Sequence, residues 1–338
     1  FGGNPPGIST TEEYNVSTST ITGAAWASGG NTSHRTGGRL NFGTQIAALS
    51  GGGLYVPNPG YTNEATTEEY NGSSWSEGGN MPADKGRGGA FGVLTAGVVC
   101  GGTQGNTTVN STYEYDGSSW TAGGNLNVAR RYQSGFGTLT AGAICGGYPS
   151  PTDNGTETEE YDGSSWTTSG ALNTKRQTSD AAGGIQTAAI TFGGSTPSAT
   201  GNTELYNGSS WTETADLNTA RTGLGSVGTT TASLASGGIT TTHVAVNESW
   251  NGSAWTEVGD LNTARGYLSG TGTTNTAALA FGGALPTVAI TESWNGTNWT
   301  TVNSLNTARE KLAGAGQDNT SALALTLIHI SEPTTQDP

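Results

Sequence analysis

The string "EEYNGSSW" (Glu68 to Trp75) does not occur once. It returns as "YEYDGSSW" ending at Trp120, "EEYDGSSW" at Trp166, "ELYNGSSW" at Trp211, "ESWNGSAW" at Trp255 and "ESWNGTNW" at Trp299. With Trp26, the second aromatic of the motif falls at 26, 75, 120, 166, 211, 255 and 299, at separations of 49, 45, 46, 45, 44 and 44. A unit of this length cannot bury its own apolar face, so copies must pack on one another.

Each unit reads as four short strands. From Arg265, "RGYLSGTGT" is a first strand rich in small residues, "TAALAFGG" an apolar second strand with a Gly-Gly stop, and "AITESW" a third. In the preceding unit, "NGSA" is the turn after the third strand and "WTEVG" the fourth strand. β-Branched and aromatic residues punctuated by Gly and Asn suit strands and turns, and no helical period competes. A Gly stands seventeen residues after each anchor Trp (Gly43, Gly92, Gly137, Gly183, Gly228, Gly272, Gly316). Close backbone approach near an axis is the expected reason.

The ends fit a ring. The chain opens on "FGG", supplies a third and fourth strand around Tyr14 and Trp26, and after Trp299 supplies only a first and second, "EKLAGAGQDNTSALAL". The expected fold is therefore all-β: a seven-bladed β-propeller of four-stranded antiparallel blades. The closing blade, from about 310–327 plus 1–29, is shared between the two terminal segments, which removes open sheet edges. Residues 1–327 are one domain; 328–338, opening on "IHISEPT", break the pattern and are expected to be a non-native or disordered tail.

The Gly-Gly, the aromatic before a turn, the Trp after it and the Arg heading the first strand together resemble the kelch repeat. More narrowly, "YNGSSWT…LNTAR…A…GG" is similar to kelch-like repeats in structural proteins of aquatic bacteriophages and environmental bacteria. The resemblance implies a propeller used for binding. It also brings in a kelch-type copper oxidase, which needs a Tyr-Cys-His constellation. Here Cys100 and Cys145 share one repeat position with Phe192, Phe281, Ser50 and Ser236, the place of a small buried hydrophobe.

Charge narrows the partners. The formal net charge is −14 with 12 Lys plus Arg, whereas a phosphate-binding surface needs clustered cations. Nucleic acid is not an expected partner. No run approaches the length of apolar sequence that a membrane-spanning helix requires, and no cofactor is called for. Nine Trp and eleven Tyr at regular spacing mark a packed chain rather than a disordered one.

The cations are periodic. Lys85, Arg130, Arg176, Arg221, Arg265 and Arg309 each lie ten residues after an anchor Trp, and Arg35 nine after Trp26. They head the first strands and are expected to ring one mouth of the central channel. Two residues before the third-strand aromatic stand Glu12, Glu68, Glu159, Glu204, Glu248 and Glu292, with Tyr113 the exception. Pairing of each cation with a Glu is the structural alternative to an anion-binding mouth, for which Arg would suit carboxylates. The second-to-third-strand loops open on the same face and vary: from the second Gly to the third-strand aromatic there are 17 residues after Gly52, 12 after Gly102 and 13 after Gly147. Tyr55, Tyr61 and Tyr148 lie in the longest and third of them, where binding residues concentrate.

Catalysis has little in its favour. His34, His243 and His329 occupy unrelated repeat positions, and no HxxxH or CxxC spacing occurs. "YDGSSW" lacks the Ser-x-Asp-x-Gly frame of the Asp-box of sialidase propellers. The expected function is a non-catalytic binding or structural module on a virion or cell surface, contacting a glycan or protein, although no signal peptide is visible. A purely architectural subunit packing on neighbouring copies is the alternative, and a sugar-active enzyme the least favoured one.

Overall fold

The computed structural model describes residues 9–15, 25–30, 32, 36–37, 39–55, 62–149, 155–176, 180–195, 198–284 and 286–327. The side chains of 9–15, 25, 36–37, 54–55, 149, 180–183 and 326–327 are outside that description, as is the whole 328–338 tail. Among the described residues the chain forms only strands, turns and bends. It is an all-β propeller of four-stranded antiparallel blades.

One blade shows the plan: Gly225–Thr229, Ala232–Ser236, Asn247–Trp250 and Trp255–Val258 pair in sequence order. Seven four-stranded sheets are present. The odd one joins the termini, in the order Ala25–Ser28, Ser9–Asn15, Ser321–Leu327, Ala313–Ala315. The first strands pack in a cycle: Leu40–Thr44 on Gly89–Val93, then Ser134–Thr138, Asp180–Ile185, Gly225–Thr229, Ser269–Thr274 and Ala313–Ala315, which returns to Leu40–Thr44. Ser9–Asn15 pairs along its whole length with Ser321–Leu327.

Burial explains the strand compositions. In second strands such as Ala96–Cys100 four of five residues are buried, so the run is apolar throughout, as a strand covered on both faces demands. Fourth strands such as Trp211–Glu213 bury only the Trp, so polar residues follow it. The anchor Trp is thus the last core residue of its blade. In five blades it packs edge-on to a Phe of the blade before, as in Phe91–Trp166 with ring centroids 6.3 Å apart.

Neighbouring blades are keyed by polar pairs. The indole Nε1 of Trp166 donates to Thr112 Oγ1 (2.9 Å), Trp211 to Thr158 (2.8 Å), Trp255 to Thr203 (2.9 Å) and Trp26 to Thr291 (2.8 Å). Tyr115, Tyr161 and Tyr206 donate their hydroxyls to Glu69, Glu114 and Glu160 of the blade before. Where the preceding residue is Leu205 or Ser249, the next blade carries Trp250 or Trp294 instead. Those indoles turn to backbone oxygens of Thr230 and Asn275.

One expectation is corrected. The Gly seventeen residues after Trp is not set by a neighbouring blade. At Gly43 (φ +115°) an added Cβ would strike Ala47 and Ala48 of its own hairpin. Close approach between blades falls instead at Gly97 and Gly142, which receive the rings of Phe42 and Phe91. The turn after the third strand spans four residues, with Asn71 Oδ1 accepting from the Ser73 and Ser74 amides at 3.0 and 2.9 Å, an Asx arrangement.

Candidate functional site

Antiparallel order puts the first-to-second and third-to-fourth turns at one end of every blade. The second-to-third loops and the inter-blade linkers lie at the other end. The periodic cations are at that second end, but they do not face solvent. Lys85, Arg130, Arg176, Arg221, Arg265 and Arg309 are each no more than 1% exposed. The expected ring of ligand-binding cations at the mouth is corrected accordingly: all six head groups are enclosed.

Their partners show why. Arg176 Nη2 donates to Glu204 Oε1 (2.7 Å), and its Nη1 to the carbonyls of Gly193 (3.2 Å) and Asn202 (2.8 Å). Its own backbone oxygen accepts from Gly147 N of the preceding blade (3.0 Å). One residue therefore ties two successive Gly-Gly stops together. Gly193 and Gly194 adopt φ of +63° and +96°, the conformation that points their polar groups at the cation. Glu204 is filled by Asn173 N, Asn173 Nδ2 and Thr174 N, so the "LNTxR" linker wraps the carboxylate. Arg130–Glu159, Arg221–Glu248 and Arg265–Glu292 repeat the pairing. Glu68 pairs with Arg39 (2.9 Å), while Arg35 is outside the described residues. Burial lowers the Arg221 pKa to about 10 despite Glu248.

Lys85 is the exception that follows the sequence. Its repeat has Tyr113 where the others have Glu. The ammonium lies 4.8 Å from the Tyr113 ring centroid and donates to Gly101 O, Ser111 O and Ser111 Oγ, each at 2.8 Å. Burial pushes its pKa down to about 8.

What does face the mouth lies two residues further on. Among the described residues, Arg87, Tyr132, Tyr267 and Lys311 are the non-Gly residues with left-handed backbones, at φ of +60°, +59°, +53° and +55°. All four follow a periodic cation by two. Gly223 holds the same place with φ +60°, and Thr178, the remaining equivalent, is outside the described residues. The amide of Tyr132 donates to Arg87 O (2.8 Å), that of Tyr267 to Gly223 O (2.7 Å) and that of Lys311 to Tyr267 O (2.8 Å). The result is a backbone belt around the mouth, studded with aromatic and cationic side chains. Left-handed φ in bulky residues costs free energy and gathers at functional sites.

The belt is populated unevenly. Arg87 and Arg131 each lie 5.8 Å from the Tyr132 ring centroid, and Arg131 lies 5.0 Å from that of Tyr148. Lys311 lies 5.1 Å from Tyr267. Tyr148 and Tyr267 are 38% and 37% exposed, each with a cation over its ring and the rest of the exposed ring open to solvent. The variable loops build small sheets on this same end: Tyr148–Pro149 pairs with Arg130–Arg131, and Thr103–Gln104 with Thr107–Thr108. Of the loop tyrosines expected at the site, Tyr148 is there. Tyr61 and the Tyr55 side chain lie outside the described residues.

Sequence reading missed the belt because its residues differ in type. The available clue was positional: a Gly at 223 in register with Arg, Tyr, Tyr and Lys.

Other chemistry is sparse. Cys100 and Cys145 are free and buried, and burial raises both thiols to about 12, far from a reactive thiolate. Among the described residues no group of three His, Cys, Asp or Glu could hold a metal ion, and no helix is long and apolar enough to cross a membrane. Fold and mouth together define a β-propeller, a class that commonly serves as a binding or scaffold module. No protein-family model matches the chain, and no curated protein matches it.

Proposed function

We infer that the chain is a non-catalytic recognition propeller of the kelch-like kind, displayed on a virion or cell surface, whose loop-face mouth contacts a glycan or protein. The belt carries this reading. Gly223 shows that the backbone there accepts Gly without strain, yet four blades keep bulky residues at about 1–3 kcal/mol each. Side chains retained against that cost serve something other than stability. Seven blades in one closed ring are supported by the seven four-stranded sheets and the cyclic packing of their first strands.

A second reading, an architectural subunit, has one observation in its favour. Ile46, Val93 and Ile185 are 66%, 49% and 61% exposed, Ile46 in a first-to-second-strand turn and Val93 and Ile185 at the first-strand ends beside such turns, all at the opposite end. Such residues suit contact with a neighbouring copy.

A glycan array probed with wild type and with the Tyr132→Gly/Tyr267→Gly variant separates the two. Recognition through the mouth predicts array binding that the variant loses without a drop in thermal midpoint. Binding that survives in the folded variant refutes the belt as the contact surface. A silent array, with the chain tiling a native particle by its Ile-bearing end, favours the architectural reading.

A further inference from the structure

We propose that the ladder Arg87–Tyr132–Arg131–Tyr148 is a subsite for the anionic group, carboxylate or sulfate, of an acidic saccharide. This rests on the loop face being a recognition surface and names what that surface takes.

The first reason is an imbalance of charge pairing. The protein carries 26 Asp and Glu against 12 Lys and Arg. Arg39, Arg130, Arg176, Arg221 and Arg265 each have a Glu within salt-bridge distance. Among the described residues, Arg87 and Arg131 do not. The one side-chain hydrogen bond of Arg131 is a long one to Thr108 Oγ1 (3.4 Å). In so acidic a chain, two neighbouring guanidiniums left without carboxylates leave their planar forks free for an anion from outside.

The second reason is rigidity. Arg87 and Tyr132 are held by the left-handed belt, and Tyr132 N is tied to Arg87 O at 2.8 Å. Arg131 and Tyr148 are registered to each other by a β-bridge pair. Guanidinium and phenol planes therefore alternate along a fixed edge, ordered before any ligand arrives, which lowers the entropic cost of binding.

The third reason selects a saccharide over an acidic peptide. The exposed large apolar residues of this ladder are aromatic. The exposed isoleucines, Ile46 and Ile185, lie at the opposite end of the propeller. A tyrosine face with a hydroxyl edge suits the C–H face of a sugar ring, whereas peptide recognition draws its affinity from apolar anchors seated in pockets.

Affinity electrophoresis of the whole chain through gels containing polygalacturonate, a sulfated polysaccharide, a neutral glucan or poly-glutamate tests the proposal. Retardation by polygalacturonate or the sulfated polymer is expected, the two arms telling carboxylate from sulfate. It should weaken about tenfold or more in Arg87→Gln/Arg131→Gln, the scale of one or two lost charge-assisted hydrogen bonds. Ile185→Thr, at the other end, should bind as wild type, and thermal midpoints confirm that each variant is folded. Equal retardation by neutral glucan, unchanged binding in the double variant, preference for poly-glutamate, or no retardation by either anionic polysaccharide each overturns the proposal. If the anionic polysaccharides fail while the array registers neutral glycans, only this assignment falls. A silent array removes the reading beneath it as well.

Discussion

Lys85 makes the inter-blade joint sensitive to alkaline pH in a way the arginine joints are not. In the folded chain its pKa lies near 8, lowered by burial from the model-peptide value of 10.5. The difference of about 2.5 units corresponds to about 3 kcal/mol of destabilisation when the amine is charged in both states. The Tyr113 face, 4.8 Å from the ammonium, offsets a part of that. A depressed folded pKa means that between pH 8 and 10.5 the unfolded chain holds a proton the folded chain has released. Stability therefore rises with pH across that window, by up to about 1.4 kcal/mol per unit. From pH 8 to 9 the Lys85 contribution amounts to about 1 kcal/mol.

The two thiols act in the opposite direction. Burial raises Cys100 and Cys145 from 9.0 to about 12, so the unfolded chain ionises first and stability falls above pH 9. The observable is thus the difference between wild type and Lys85→Met, in which the thiol contributions largely cancel. Urea unfolding followed by Trp fluorescence at pH 7.5, 8, 8.5 and 9 should show that difference shifting by about 1 kcal/mol in favour of wild type as pH rises. Parallel curves over the whole range would mean that Lys85 titrates normally, and the account of its burial would be wrong.

Three further outcomes are expected. Arg221→Met should cost about 3–5 kcal/mol, because it leaves Glu248 charged and buried; Arg221→Met/Glu248→Gln should recover part of this in urea unfolding, since the buried charge is removed and the amide oxygen still accepts from Asn218 N and Nδ2. Trp299 Nε1 is buried without a partner, because Asn247 stands where other blades have Thr and is occupied by Ser236 and Gly259. Ser236→Cys/Asn247→Thr, which copies the Cys145 and Thr158 blade, should raise stability by about 1 kcal/mol, while Asn247→Thr alone should gain little. Tyr267→Gly should leave the thermal midpoint level or slightly higher, as relief of left-handed strain, about 1–2 kcal/mol, exceeds the added freedom of the unfolded chain.

The blades were legible because their cores are periodic in residue type. The Trp ruler marks the last buried side chain of six fourth strands and the half-buried Trp75 of the seventh. The Gly-Gly stops carry the positive φ that the repeat suggested. Even the coupling between Glu69, Glu114, Glu160 and the next blade's Tyr can be read along the chain, since Leu205 and Ser249 precede Trp250 and Trp294. Periodicity also located the cations, but it could not say which way they face. Whether an Arg heading a strand reaches solvent or a buried carboxylate depends on the Asn and Thr amides of its own linker, which bring Glu204 or Glu248 within reach.

The belt was illegible for the opposite reason. Its common property is a backbone angle, and residue types vary there from Arg to Tyr to Gly. The same divergence separates scaffold from site: repeat positions that must pack converge on one residue, whereas positions that meet a ligand across one shared opening are free to differ. Regular cations at 0–1% exposure belong to the first kind. Arg87, two residues after Lys85, held in a strained conformation and without a carboxylate partner among the described residues, belongs to the second.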